Sequence, residues 1–180
     1  MTTWIALFRG INVLGNRLLP MKDLATLLER QGFEGVRTYI QSGNVVFQSS
    51  KGTSNSLAKR IGNLVLKSYG FHPQVFVLSV RELTSAAATN PFPKAEADPK
   101  ALHLFFLSEL PRSPDLESLS RVRTGREAFR LKGRVFYLHT PDGFGVSKLA
   151  ARAERFIGVG TTARNWRTVS KLLEMVRDSV

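Results

Sequence analysis

Cysteine is absent from this 180-residue chain, which excludes disulfides, thiolate nucleophiles and cysteine-based zinc sites. Histidine is scarce as well: His72, His103 and His139 leave little for metal coordination, so no metal and no cofactor is expected. Long apolar runs are missing too. The stretch from Thr3 to Phe8 breaks at Arg9 with no basic segment before it, and so fits neither a signal peptide nor a membrane span. A soluble cytoplasmic protein is the expectation. Acidic residues are the last shortage, 14 against 26 basic ones, for a formal net charge of +12. That field favours polyanionic or phosphorylated partners, nucleic acid first. Between Arg112 and Arg177 the balance is 14 − 6 = +8, so most of the excess lies in the C-terminal third. The alternative is an arginine-rich composition with no nucleic-acid partner, and composition does not separate the two.

What the chain has is apolar patterning. With 43% hydrophobic residues it can bury a substantial core, as one domain or two small ones. After the strand-like Thr3 to Phe8, Pro20 opens a helix carrying Met21, Leu24, Leu27 and Leu28 on one face and stopping at Gly32. Val36 to Phe47 reads as a β-hairpin turning at Ser42-Gly43; Ser54 caps a second helix with the stripe Leu57, Ile61, Leu64 and Val65; Gln74 to Leu78 is a strand. The order β-α-β-β-α-β is that of the ferredoxin-like plait, an antiparallel sheet with helices on one face. Residues 81–100 form a helical then proline-rich connector. The second half, 101–180, reads as a strand at Leu102 to Leu107, a short helix from Ser113-Pro114, strands at Glu127 to Leu131 and Val135 to Leu138, a helix capped by Ser147, and a final helix capped by Thr162. The second half thus reads β-α-β-β-α-α, a weak echo of the first, and the pattern predicts an α+β fold: a ferredoxin-like (alpha-beta plait) half at 1–80 and a second plait-like half with a C-terminal helix at 101–180, with antiparallel sheets.

Alternating chain direction puts the end of the first strand, the hairpin tip and the start of the fourth strand at one edge of the first sheet. Arg9 to Arg17, Gln41 to Asn44 and Gly70-Phe71-His72 would meet there. Gly10 and Gly15 have the spacing of a phosphate loop, but Asn16 and Arg17 stand where lysine and a hydroxyl residue belong, which rejects a nucleotide-hydrolysing P-loop. Two readings stay open. The loop is either an anion-binding nest flanked by Arg9, Asn12 and Arg17, or a sharp turn in which Asn12 and Asn16 bond backbone. Gln41, Ser42 and Asn44 are likewise ligand donors or turn residues. Thr162, Arg164 and Asn165 gather hydroxyl, guanidinium and amide at a predicted helix start, an anion site by type, with plain capping as the alternative. Ser147-Lys148 offers a weaker version. His72 has no carboxylate at a spacing that would orient it, and catalytic residues stay unassigned.

Arg-Gly-Ile-Asn-Val at 9–13, Tyr-Ile-Gln-Ser-Gly-Asn-Val-Val-Phe at 39–47, Asn-Pro-Phe at 90–92 and Thr-Ala-Arg-Asn-Trp-Arg-Thr-Val at 162–169 resemble the bacterial domain-of-unknown-function family 1697, end to end. After Val13 that family usually reads Gly-Gly-Lys, where this chain has Leu14-Gly15-Asn16. The resemblance implies two ferredoxin-like halves and brings no activity with it. The leading expectation is a binding protein whose polar edge and basic C-terminal half hold a phosphate-bearing ligand, nucleic acid or a phosphorylated small molecule, by electrostatics. Residues 42–47 lack the aromatic pattern of an RNA-stacking platform. One alternative is an enzyme acting on a small phosphorylated or carboxylated metabolite, with Arg9, Asn12, Asn44 and Arg164 positioning the anion and Ser42 or His72 near the chemistry. The other is a protein-interaction module.

Overall fold

A computed structural model describes residues 1–178. The chain divides into two compact units, 1–85 together with the described residues from Lys171 on, and 86–170. The first unit runs β1 (Thr2–Arg9), α1 (Met21–Arg30), β2 (Glu34–Tyr39), β3 (Asn44–Ser49), α2 (Ser54–Tyr69) and β4 (Gln74–Ser79), then enters α3 (Val80–Ala88). All its strand pairs are antiparallel, in the order β2-β3-β1-β4.

Period-two alternation in the strands builds the core. Ala6 and Phe8 of β1, Val45 and Phe47 of β3 and Val77 of β4 share one sheet face with the stripes Leu24 and Leu28 of α1 and Leu57, Ile61 and Val65 of α2, all buried. Pro20, at φ −57°, precedes the first turn of α1. Helix α2 starts one residue earlier than its sequence suggests. Its cap is Thr53, which accepts from the Ser56 N–H while the Ser56 hydroxyl accepts from the Thr53 N–H, so Ser54 lies inside the first turn. Gly70, at φ 74°, ends it in the left-handed conformation.

The second unit follows a short 3-10 turn at Pro93–Ala97 and contains β5 (Leu102–Leu107), α4 (Leu116–Val122), β6 (Ala128–Lys132), β7 (Val135–His139), α5 (Lys148–Ile157) and β8 (Thr161–Asn165), leading into α6 (Trp166–Arg177). Its antiparallel order is β6-β7-β5-β8, the same arrangement as in the first unit. Phe105, Leu107, Phe136 and Leu138 of the sheet pack with Leu119 of α4 and with Leu149, Ala153 and Ile157 of α5.

Three expectations for this half are corrected. The short helix expected to start at Ser113-Pro114 begins at Leu116, capped by Asp115, whose carboxylate accepts from the Ser118 N–H at 2.9 Å. The strand expected from Glu127 begins at Ala128, because the Glu127 carboxylate turns back to accept from the Thr124 N–H. Most consequentially, Thr162 does not cap a helix. It pairs with Phe106 inside β8, and the helix starts at Trp166 with the Asn165 side chain accepting from the Thr168 N–H at 3.0 Å. The second half thus completes its own β-α-β-β-α-β before α6. The end of α6 groups with the first unit, where Arg37 donates to the Met175 carbonyl, although the sequence pattern alone keeps all of 101–180 together.

Candidate functional site

Register places three distant segments at one edge of the first sheet. Leu7 pairs with Asn44 and Arg9 with Gln74, so the end of β1, the β2–β3 tip and the start of β4 adjoin. Asn12 fastens them. Its side-chain amide donates to the Leu19 carbonyl at 2.9 Å and to the Gln41 carbonyl at 2.8 Å, while its oxygen accepts from the Leu19 N–H at 2.7 Å. One side chain therefore holds both the far end of its own loop and the hairpin tip. Gly43 seals the contact: a Cβ there would lie 2.5 Å from Phe8 Cβ and 2.7 Å from Ile11 Cδ1, at a φ of 81° that also favours glycine.

The residues proposed as ligand donors divide into spent and exposed groups. Asn12 is committed to the joint just described. Asn44 is fully buried, with its amide donating to the Tyr39 carbonyl at 3.0 Å and the Ser42 hydroxyl at 3.1 Å, which locks the turn. Within the glycine loop, the Asn12 N–H donates to Arg17 and the Asn16 N–H to Val13, so two donors of the supposed nest are used internally. Gln41, Ser42 and Arg17 stand exposed at the edge, Arg17 with Nη1 beside Gly10. Arg9 is half-buried and reaches Gln74 Oε1 at 3.2 Å. The His72 ring lies against buried Gly62 of α2, where it leaves no room for a Cβ.

Thr162, Arg164 and Asn165 are not brought to this edge's kind of surface. Both Thr162 and Arg164 are buried in β8, and Arg164 Nη1 donates to the Thr162 hydroxyl at 2.9 Å and to the Ala163 carbonyl at 2.8 Å. Burial lowers the guanidinium pKa to about 10, which leaves it cationic at neutral pH. Asn165 is spent on capping α6. Ser147 caps α5 through the Ala150 N–H at 3.0 Å, as its sequence suggested, and is itself buried.

What the sequence motifs did not reveal is a pair of basic helix faces. On α2, Lys59, Asn63 and Lys67 are exposed at i, i+4 and i+8, with Ser56, Arg60 and Leu64 lining the same shallow, open concavity of about 440 Å3. No acidic residue occurs anywhere in the helix. On α5, Lys148, Arg152 and Arg155 are exposed at i, i+4 and i+7, and the helix's one acid, Glu154, turns to accept from the Thr161 N–H at 2.8 Å. The two helices hold equivalent positions, each preceding the last strand of its sheet. Among the described residues, Lys59, Lys67, Lys148 and Arg152 make no ion pair, whereas exposed Arg121 and Arg126 are matched by Glu117 and Asp142. The signal was present: the lysines of α2 recur at helical spacing on the side away from Leu57, Ile61 and Val65.

Two four-stranded antiparallel sheets, each with helices, and a C-terminal helix make this a mixed α+β protein. Residues 1–137 match the profile of the family described as Protein of unknown function (DUF1697), and the chain belongs to that family. The resemblance read end to end from motifs is thus carried by the profile over the first three quarters of the chain. A conserved bacterial protein from Streptococcus pneumoniae has a similar structure, with a TM-score of 0.71 over 97% of this chain and 98% of its own at 21% identity, a likeness of fold alone. Comparison with curated proteins gives no match. Among the described residues, no helix is long and apolar enough to cross a membrane and no cluster of three or more histidine and carboxylate side chains could hold a metal ion.

Proposed function

We propose that this protein binds nucleic acid chiefly through its phosphates, using the exposed basic faces of α2 and α5 and the polar edge of the first sheet. The observation that carries the reading is the recurrence of an unpaired basic stripe on the equivalent helix of both units, Lys59 and Lys67 on one and Lys148 and Arg152 on the other. Cations spaced along one helix face suit a row of phosphates better than a single compact anion. The edge adds support, because residues 1–22 and 35–81 contain no Asp or Glu, so Arg9 and Arg17 have no acidic neighbour in sequence. In residues 1–85 ten basic residues face four acidic ones, 10 − 4 = +6.

A small-metabolite enzyme is disfavoured by the same geometry, since Asn12 and Asn44 are engaged in building the turns and Arg164 is buried. The test is a mobility shift on an oligonucleotide, comparing the natural chain with the variant Lys59→Gln, Lys67→Gln, Arg152→Gln, Arg155→Gln. On a single strand, each phosphate that is no longer neutralised should flatten the dependence of log affinity on log salt by about 0.7 of a unit. Equal affinities and equal salt dependence for the two proteins would refute the proposal.

A further inference from the structure

The edge of the first sheet carries a feature that phosphate binding does not use. Val13, Leu14, Leu18 and Ile40 are 54%, 94%, 62% and 51% exposed, four of the nine large apolar side chains that the described residues leave in water. They belong to two turns that Asn12 ties together through the Gln41 carbonyl. Leu14 and Gly15 form the corner of a tight turn, with φ of 48° and 76°, closed by the Asn16 N–H donating to the Val13 carbonyl at 2.9 Å. Such a corner favours Asn-Gly or Gly-Gly, because a side chain with a Cβ is strained at positive φ. Ile40, β-branched, is held at φ 50°. A leucine and an isoleucine in the left-handed region, with most of their surface in water, repay neither their strain nor their exposure by packing within the described residues.

Resting on the nucleic-acid reading above, we infer that the Leu14 and Ile40 tips are wedges that insert between neighbouring bases of the bound strand. Short aliphatic side chains serve this purpose in proteins that unstack base steps, and they need no aromatic platform. Charge selects the occupant: Arg9 and Arg17 flank the tips, and no acid lies in either turn or in the strands that carry them except Glu34 at the far end of β2. The exposed Gln41 side-chain amide, next to Ile40, supplies a group for base edges or phosphates, which acyl chains would leave unpaired. The wedge adds affinity that salt does not screen, on top of the helix-face contacts that it does.

The variant Leu14→Asn, Ile40→Asn tests this without threatening the fold, because asparagine tolerates positive φ better than either natural residue. The inference expects the variant to be at least as stable as the natural chain in urea, yet to bind a 2-aminopurine-labelled single strand about tenfold more weakly, a loss of about 1.4 kcal/mol. Its salt dependence should be unchanged, and the fluorescence rise that the natural chain produces on unstacking the probe should be lost. Binding by the natural chain with equal affinity and equal fluorescence rise in the variant would overturn the wedge and leave the phosphate reading standing. Absence of any binding by the natural chain at low salt would overturn both, as would tip-dependent binding to phosphatidylserine vesicles in place of the oligonucleotide.

Discussion

Replacing Asn12 by alanine removes the joint that holds the loop and hairpin tip together. Three hydrogen bonds disappear, at 2.9, 2.8 and 2.7 Å, and the backbone φ of 55° is one that alanine adopts at a cost. Each bond contributes roughly 0.5–1.5 kcal/mol net, toward the lower figure here because the site is only partly screened from water. The left-handed backbone adds about 1 kcal/mol for a residue with a Cβ. The sum is about 2–4 kcal/mol. Glycine at the same position loses the bonds and keeps the backbone freedom, so Asn12→Gly should be about 1 kcal/mol less damaging than Asn12→Ala. Urea unfolding with unchanged slope reads both values as shifts of midpoint. A loss below about 0.5 kcal/mol for alanine, or identical losses for alanine and glycine, would mean that the side chain does not hold the edge together as described.

Two further outcomes concern the rings of buried His103 and exposed His72. His103 stacks on Phe144 at 3.8 Å between ring centres, its Nδ1 has no hydrogen-bond partner among the described residues, and burial lowers its pKa from 6.5 to about 4. The unfolded chain therefore takes up a proton that the folded one refuses. The stability this gives is whole above pH 6.5 and is lost as pH falls toward 4, by about 3 kcal/mol in all; urea midpoints across that range should fall for the natural chain and stay flatter for His103→Leu, and parallel curves would refute the assignment. Gly62→Ala brings a Cβ to 2.7 Å from His72 Cε1, so the helix propensity it gains, about 1 kcal/mol, should appear in a His72→Ala background and vanish in the natural one. A double-mutant cycle measures the difference, and a cycle with no coupling would show that the imidazole does not occupy that space.

The parts of this fold that the sequence disclosed are those written in local patterns. Alternation in Val36 to Gln41, the apolar runs Val45 to Phe47 and Leu102 to Leu107 and the glycine stops at Gly70 and Gly158 marked elements whose observed bounds agree within a residue or two. The meeting of Asn12 with Gln41 also followed, because it needs only element order and alternating direction. The strand Thr161–Asn165 was hidden for a tertiary reason. Thr-Thr-Ala-Arg-Asn has no apolar face of its own, and only pairing with β5 makes it a strand and buries Arg164. The same displacement moved the helix start from Thr162 to Trp166 and buried Thr162 and Arg164 in the strand. The basic faces of α2 and α5 were written in the same helical period as the apolar stripes, with Lys59 and Arg152 on the side away from them.

The most direct test of phosphate binding is the slope of log affinity against log salt for the natural chain on single-stranded nucleic acid. With Lys59, Lys67, Lys148, Arg152 and Arg155 meeting the phosphates, engagement of both helix faces gives a slope of about −3 to −4, and one face alone gives roughly half that. A slope near zero, or no complex at the lowest salt, would contradict the reading that these helices exist to meet a polyanion.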